Sequence, residues 1–160
     1  MSMKSFCNVL GFLVFVVICY NASAATQTAT MAVALNVPVT CSVSANPLAF
    51  GNFTGTSVGK TNFLNITCTN GAPYTIDLDA GAGAGATTST RLLTNSSNSS
   101  YTLSYSLYTS SARTTVWAVG GRSGIGAGTS QAVTVFSTMF ANSNPYIGNY
   151  SDTIGVTVNY

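Results

Sequence analysis

Asp77 and Asp79 are the acidic side chains that stand closest together in this sequence. At i and i+2 on a strand they share one face, from which two carboxylates could hold a cation or flank a glycosidic bond. No third acidic residue lies nearby, and the simpler reading is the solvated outer face of a half-buried strand. Ser and Thr are plentiful, but a serine nucleophile needs a base, and the chain has no His. Lys60 could serve a Ser–Lys pair, yet between Gly59 and Thr61 beside a turn it reads as a surface lysine. Gly81-Ala-Gly-Ala-Gly85 looks like a phosphate loop only superficially. It lacks the Lys-Ser/Thr ending and a following helix, and is expected to be a flexible loop. Asn52-Phe-Thr54, Asn65-Ile-Thr67 and Asn149-Tyr-Ser151 match the glycosylation sequon, which has meaning only in a eukaryotic secretory pathway. No catalytic, cofactor-binding or metal-binding residue is expected, and no small-molecule substrate. With 5 Lys+Arg there is no basic patch, so nucleic acid is not an expected partner.

The elements that carry these residues follow from composition. The 160 residues are 46% hydrophobic and only 5% charged, rich in Ser, Thr, Asn, Gly and Val. This describes one β-rich extracellular domain rather than a helical intracellular one. The chain opens on a charge at Lys4, an apolar run over Phe6–Tyr20 and a small-x-small site at Ala22-Ser23-Ala24. Those are the three parts of a secretory signal peptide, expected to span residues 1–24. Cys7 and Cys19 leave with it. Cys41 and Cys68 remain in an oxidising compartment, where a disulfide is the expectation. It closes a loop of about 28 residues, worth roughly 3.5 kcal/mol in the chain-entropy model.

Helical periodicity is absent, whereas period-2 alternation recurs. Ala29, Met31, Val33, Leu35, Val37, Val39, Cys41 and Val43 fall on one face of a long run. Pro38 cannot donate a ladder hydrogen bond, so the run is expected to break at Asn36–Pro38 into strands Thr28–Leu35 and Val39–Ser44. Further strands are expected over Thr61–Thr67, Tyr74–Asp79, Tyr101–Tyr108, Thr114–Ala118, Ala132–Met139 and Thr153–Tyr160. Tyr101, Leu103, Tyr105 and Leu107 should point inward. Gly81–Ser89, Asn95–Ser100 and Gly120–Ser130 read as loops. Many short strands between turn signals suggest a sandwich or a barrel.

The segments Cys41-Ser-Val-Ser-Ala45 and Leu48-Ala-Phe-Gly51, followed by Ile66-Thr-Cys-Thr-Asn-Gly71 and Pro73-Tyr-Thr-Ile-Asp-Leu-Asp-Ala-Gly81, resemble the spore coat protein U domain. Leu103-Ser-Tyr-Ser-Leu-Tyr108, Thr115-Val-Trp117 and Gly148-Asn-Tyr-Ser-Asp-Thr153 continue the resemblance to the terminal Tyr160. It departs at Ser110-Ser111, where the family often has an acidic residue, and at Trp117-Ala118, where it often has Trp-Gly. The family includes subunits of archaic chaperone–usher pili. The resemblance implies an all-β, incomplete immunoglobulin-like sandwich, completed by a donor strand from another molecule. It implies three kinds of partner: a periplasmic pilus chaperone, an outer-membrane usher and neighbouring pilus subunits. Residues 25–37 would be the donor segment, with Ala29, Met31, Val33, Leu35 and Val37 as its plugs, and residues 38–160 the sandwich. Ile154, Val156, Val158 and Tyr160 would line one wall of the acceptor groove. The expected product is a surface pilus supporting adhesion and biofilm formation. The competing readings are a non-polymerising coat or matrix protein of the same fold and, further off, a small outer-membrane barrel, for which the strands are too short.

Overall fold

The computed structural model describes residues 23–160. The expected signal peptide therefore lies, but for its last two residues, outside the described residues. The described chain divides into a unit ending at Leu35 and a unit spanning Asn36–Tyr160. In the first, residues 23–35 hold no regular structure and are exposed throughout. The strand expected over Thr28–Leu35 is thus absent. Alternation makes a segment able to pair, but a strand exists only with a ladder partner to satisfy its N–H and C=O groups.

The second unit is all-β, in two sheets. The larger has the order β1 (Cys41–Ala45), β2 (Val58–Cys68), β7 (Gln131–Met139), β5 (Thr102–Tyr108), β4 (Arg91–Asn95) and β8 (Tyr150–Ser151). The smaller has the order β6 (Arg122–Ile125), β3 (Pro73–Leu78) and β9 (Val156–Asn159). All pairings are antiparallel. The core is made by the alternating faces read from the sequence: Leu64, Ile66 and Cys68 of β2, Tyr74, Ile76 and Leu78 of β3, Leu103, Tyr105 and Leu107 of β5, and Val133, Val135 and Met139 of β7.

Three expectations are corrected. Thr114–Ala118 forms no strand; only Val116 bridges to Tyr108. The chain there turns through Arg113, at φ 53°, and Trp117 drops fully buried into the core, its indole N–H donating to the Ile76 carbonyl at 3.0 Å. Tyr101 does not point inward with Leu103, Tyr105 and Leu107, but precedes β5 and is 41% exposed. Gly120–Ser130 is not all loop, since it contains β6 on the outer edge of the smaller sheet.

Cys41 and Cys68 face each other across the β1–β2 ladder and are joined by a disulfide, with Cα atoms 4.1 Å apart. Replacing both by serine is expected to cost about 3.5 kcal/mol, the closure entropy regained by the unfolded chain. A drop in the urea midpoint is the readout, with a steeper slope as the unlinked unfolded chain exposes more surface.

Candidate functional site

The feature that sets this sandwich apart is where it stops. Among the described residues, β9 pairs with β3 on one side and with nothing on the other, and β1 pairs only with β2. The two strands lie near each other across an opening but share no ladder. A long free edge is a liability, because its unpaired N–H and C=O groups and half-covered apolar face invite another strand.

Behind the opening lies an apolar cleft of about 200 Å³. Leu48 and Phe50 from the segment after β1, Leu64 of β2, Ile154 and Val156 at β9, and Leu78, Leu93, Tyr105, Leu107 and Val135 line it, with Asn46, Asn62 and Asp152 as its polar members. Phe63 stands at the mouth, 46% exposed. Ile154, Val156 and Val158 are each only half-buried against the core, while Tyr160 is 63% exposed. Of the four residues expected on this wall, Ile154 and Val156 line the cleft. Val158 continues their face, and Tyr160 lies beyond the last strand. The residues expected to plug such a groove are in coil, with Met31, Val33, Leu35 and Val37 all at least two-thirds exposed.

The cleft rests on a polar frame that sequence reading missed. Arg91 is completely buried. Its Nε donates to the Asp79 carbonyl at 2.8 Å and Nη1 to the Thr88 carbonyl at 2.7 Å. Nη2 donates to the Leu78 and Trp117 carbonyls at 3.1 and 2.9 Å. Burial pulls the guanidinium below its usual pKa, and the fields of Tyr105, Asp79 and Asp152 oppose that. The carboxylates do structural work. Asp79 Oδ1 accepts the Gly81 and Gly155 amides, both at 2.9 Å. Asp152 Oδ1 accepts the Ala82 and Thr153 amides, both at 2.7 Å, and Oδ2 accepts the Tyr105 hydroxyl at 2.7 Å. Asp77 accepts the Gly120 amide and, at 2.9 Å, the Asn159 side chain. Asp77 and Asp79 share the face expected of them, but as clasps holding β9 and the loops beside it rather than as a merely solvated surface.

The Gly81–Gly85 loop receives an anion after all, and it is the chain's own Asp152. Gly81 sits at φ +85°, a conformation that favours glycine, and any side chain there would collide with the Asp152 carboxylate. Lys60 is exposed on β2. Nothing in this arrangement joins a nucleophile to a base, since every carboxylate already faces backbone amides.

Tyr105 supplies a pH prediction. Burial, followed by its bond to Asp152, raises its pKa well above the ordinary 10.0. A proton held more tightly when folded gives stability that is complete below the unfolded pKa and is lost as pH rises past it. Stability should therefore fall above about pH 10. Tyr105→Phe should be about 2 kcal/mol less stable at neutral pH, leaving Asp152 short of a donor, and should decline less in alkali. Urea melts across pH 7–11 check both.

The open edge and the apolar cleft beside it are the setting in which the fold is compared with known proteins. The Spore Coat Protein U domain model matches residues 27–157. The chain belongs to the Spore Coat Protein U domain family. A search of curated proteins gave no match. Among solved structures, the Spore Coat U fold seen here is similar to a chain of the CsuC–CsuE chaperone–tip adhesion subunit pre-assembly complex from archaic chaperone-usher Csu pili of Acinetobacter baumannii. The two share 25% identity at a TM-score of 0.56, over 78% of this chain and 40% of that one. This Spore Coat U chain thus spans about two-fifths of the length of the chain it matches. A chaperone–tip adhesin complex of CFA/I fimbriae biogenesis is more distant, at 13% identity and a TM-score of 0.41 over 74% of this chain and 41% of that one. Family and fold together make this an all-β, incomplete immunoglobulin-like sandwich in which a disulfide ties β1 to β2.

Proposed function

We propose that the protein is a structural subunit of a surface pilus, exported by its signal peptide and joined to its neighbours by donor-strand exchange. A periplasmic chaperone covers the open edge first. At the outer-membrane usher, residues 25–37 of the next subunit take its place. The observation that carries this reading is the apolar cleft between two unpaired edges in a chain that also holds an exposed, alternating apolar segment. β-Strand addition fits both, because main-chain bonds satisfy the edges and alternate side chains fill the cleft. Ala29, Met31, Val33, Leu35 and Val37 are the plugs, and Ile154, Val156, Val158 and Tyr160 belong to the acceptor wall. The resulting fibre serves adhesion and biofilm formation.

The test is production in a bacterial periplasm with and without residues 26–36, followed by denaturing gels of unboiled and boiled samples. A ladder in the unboiled full-length sample that vanishes on boiling and on truncation supports exchange between molecules. A single monomer band for the full-length chain, with the truncated form unfolded, would instead show the segment completing its own domain, as in a coat or matrix protein.

A further inference from the structure

Tyr101 and Tyr146 lie face to face, with ring centroids 3.9 Å apart and planes within 3° of parallel. Aromatic pairs left to themselves prefer offset or edge-on contacts at about 4.5–7 Å. The frame around this pair explains the close overlap. The Asn95 side chain donates to the Ile147 carbonyl at 3.1 Å, and the Ser96 amide to the Asn149 carbonyl at 2.8 Å. The Tyr150 hydroxyl donates to the Tyr146 carbonyl at 2.8 Å, and the Asn95 amide to the Tyr101 carbonyl at 3.0 Å. Two loops, one before β5 and one before β8, are thereby pinned together with one phenol on each. Both rings are reachable from solvent, at 41% and 46% exposure. Tyr74, Tyr105 and Tyr108 are buried, and Tyr160 stands at the exposed chain end.

We propose that Tyr101 and Tyr146 form an oxidative cross-linking site, coupled to an intramolecular dityrosine by a haem peroxidase acting with hydrogen peroxide. Each phenol gives up one electron and its hydroxyl proton, and the peroxide is reduced to two molecules of water. The two phenoxyl radicals join through a new carbon–carbon bond between ring positions ortho to oxygen. Each of those carbons then passes its hydrogen to its own oxygen, restoring both phenols. The product has lost two hydrogen atoms and is otherwise intact. Radicals usually must meet by diffusion; here the second ring is already in contact, which raises its effective concentration far above that of a second molecule. The bond would tie the loop before β5 to the segment before β8.

The full-length exported chain is treated with horseradish peroxidase and limiting peroxide, at dilution, and analysed by blue dityrosine fluorescence and tryptic mass spectrometry. Lys60, Arg91, Arg113 and Arg122 place Tyr101 in the peptide 92–113 and Tyr146 in the peptide 123–160. The expected product is those two peptides from one monomer, joined at Tyr101 and Tyr146 and lighter by two hydrogens. Tyr101→Phe and Tyr146→Phe keep the ring and should each lower monomer dityrosine at least tenfold while melting as the parent does. Tyr160→Phe should leave it unchanged. Absence of dityrosine in the monomer, its location at other tyrosines, or its survival in either Phe variant overturns the proposal. So does coupling found only between molecules.

Discussion

Arg91→Met is expected to yield a chain that does not fold stably, and Arg91→Lys one that is severely weakened. The guanidinium satisfies carbonyls of four residues: Leu78 at the end of β3, Asp79 just past it, Thr88 in the loop before β4, and Trp117. Each buried acceptor left without a donor costs about 1–3 kcal/mol. Losing several at once takes up most of the roughly 5–15 kcal/mol that holds a domain together. Methionine matches the length of the side chain but donates nothing. Lysine keeps the charge, yet its compact ammonium cannot reproduce a planar fork reaching in several directions. Soluble yield and thermal melting of both variants are the measurements. A lysine variant melting with the parent would show that charge alone suffices.

Val33→Asp combined with Leu35→Asp is expected to abolish polymer while leaving the sandwich itself folded. Both side chains are exposed in the single chain, so the substitutions remove nothing from its core. In a neighbour's cleft they would each forfeit about 1.5–3 kcal/mol of apolar burial. They would also carry carboxylates into a site lined by Leu, Val and Ile, at a further several kcal/mol per unpaired charge. Together these weaken the joint by well over a thousandfold. The gel ladder of the unboiled sample is the readout, with circular dichroism of the monomer confirming the fold. Undiminished fibres from the double variant would sink the donor assignment.

Much of this architecture was legible because half-buried strands write their burial in period two. Leu64-Asn-Ile66-Thr-Cys68 and Tyr74-Thr-Ile76-Asp-Leu78 alternate cleanly, and their apolar members are the core. β4 was hidden because its most deeply buried residue is an arginine, which no hydropathy pattern places inside; only the four carbonyls around its guanidinium make that tolerable. β6 was hidden by its glycine: at Gly124 a side chain would strike the Tyr74 ring, so the residue is small because the neighbouring strand passes close. The clasps of Asp77, Asp79 and Asp152 join residues up to 82 positions apart, beyond the reach of any local motif. The apolar stripe over residues 29–37 was visible, but whether it pairs depends on a partner edge, which local sequence does not encode.

The disulfide has a mechanical meaning in a fibre built as proposed. Tension between subunits would enter each sandwich through the donor segment and reach β1 at Cys41, its first residue. An edge strand of five residues pulled from its end would ordinarily peel away bond by bond. The first rung of this ladder, however, is covalent, because Cys41 opposes Cys68. Load therefore bypasses the β1–β2 hydrogen bonds and passes directly into β2, which runs eleven residues through the sheet and is paired along most of that length with β7. Reduced fibres should extend under forces that oxidised ones withstand.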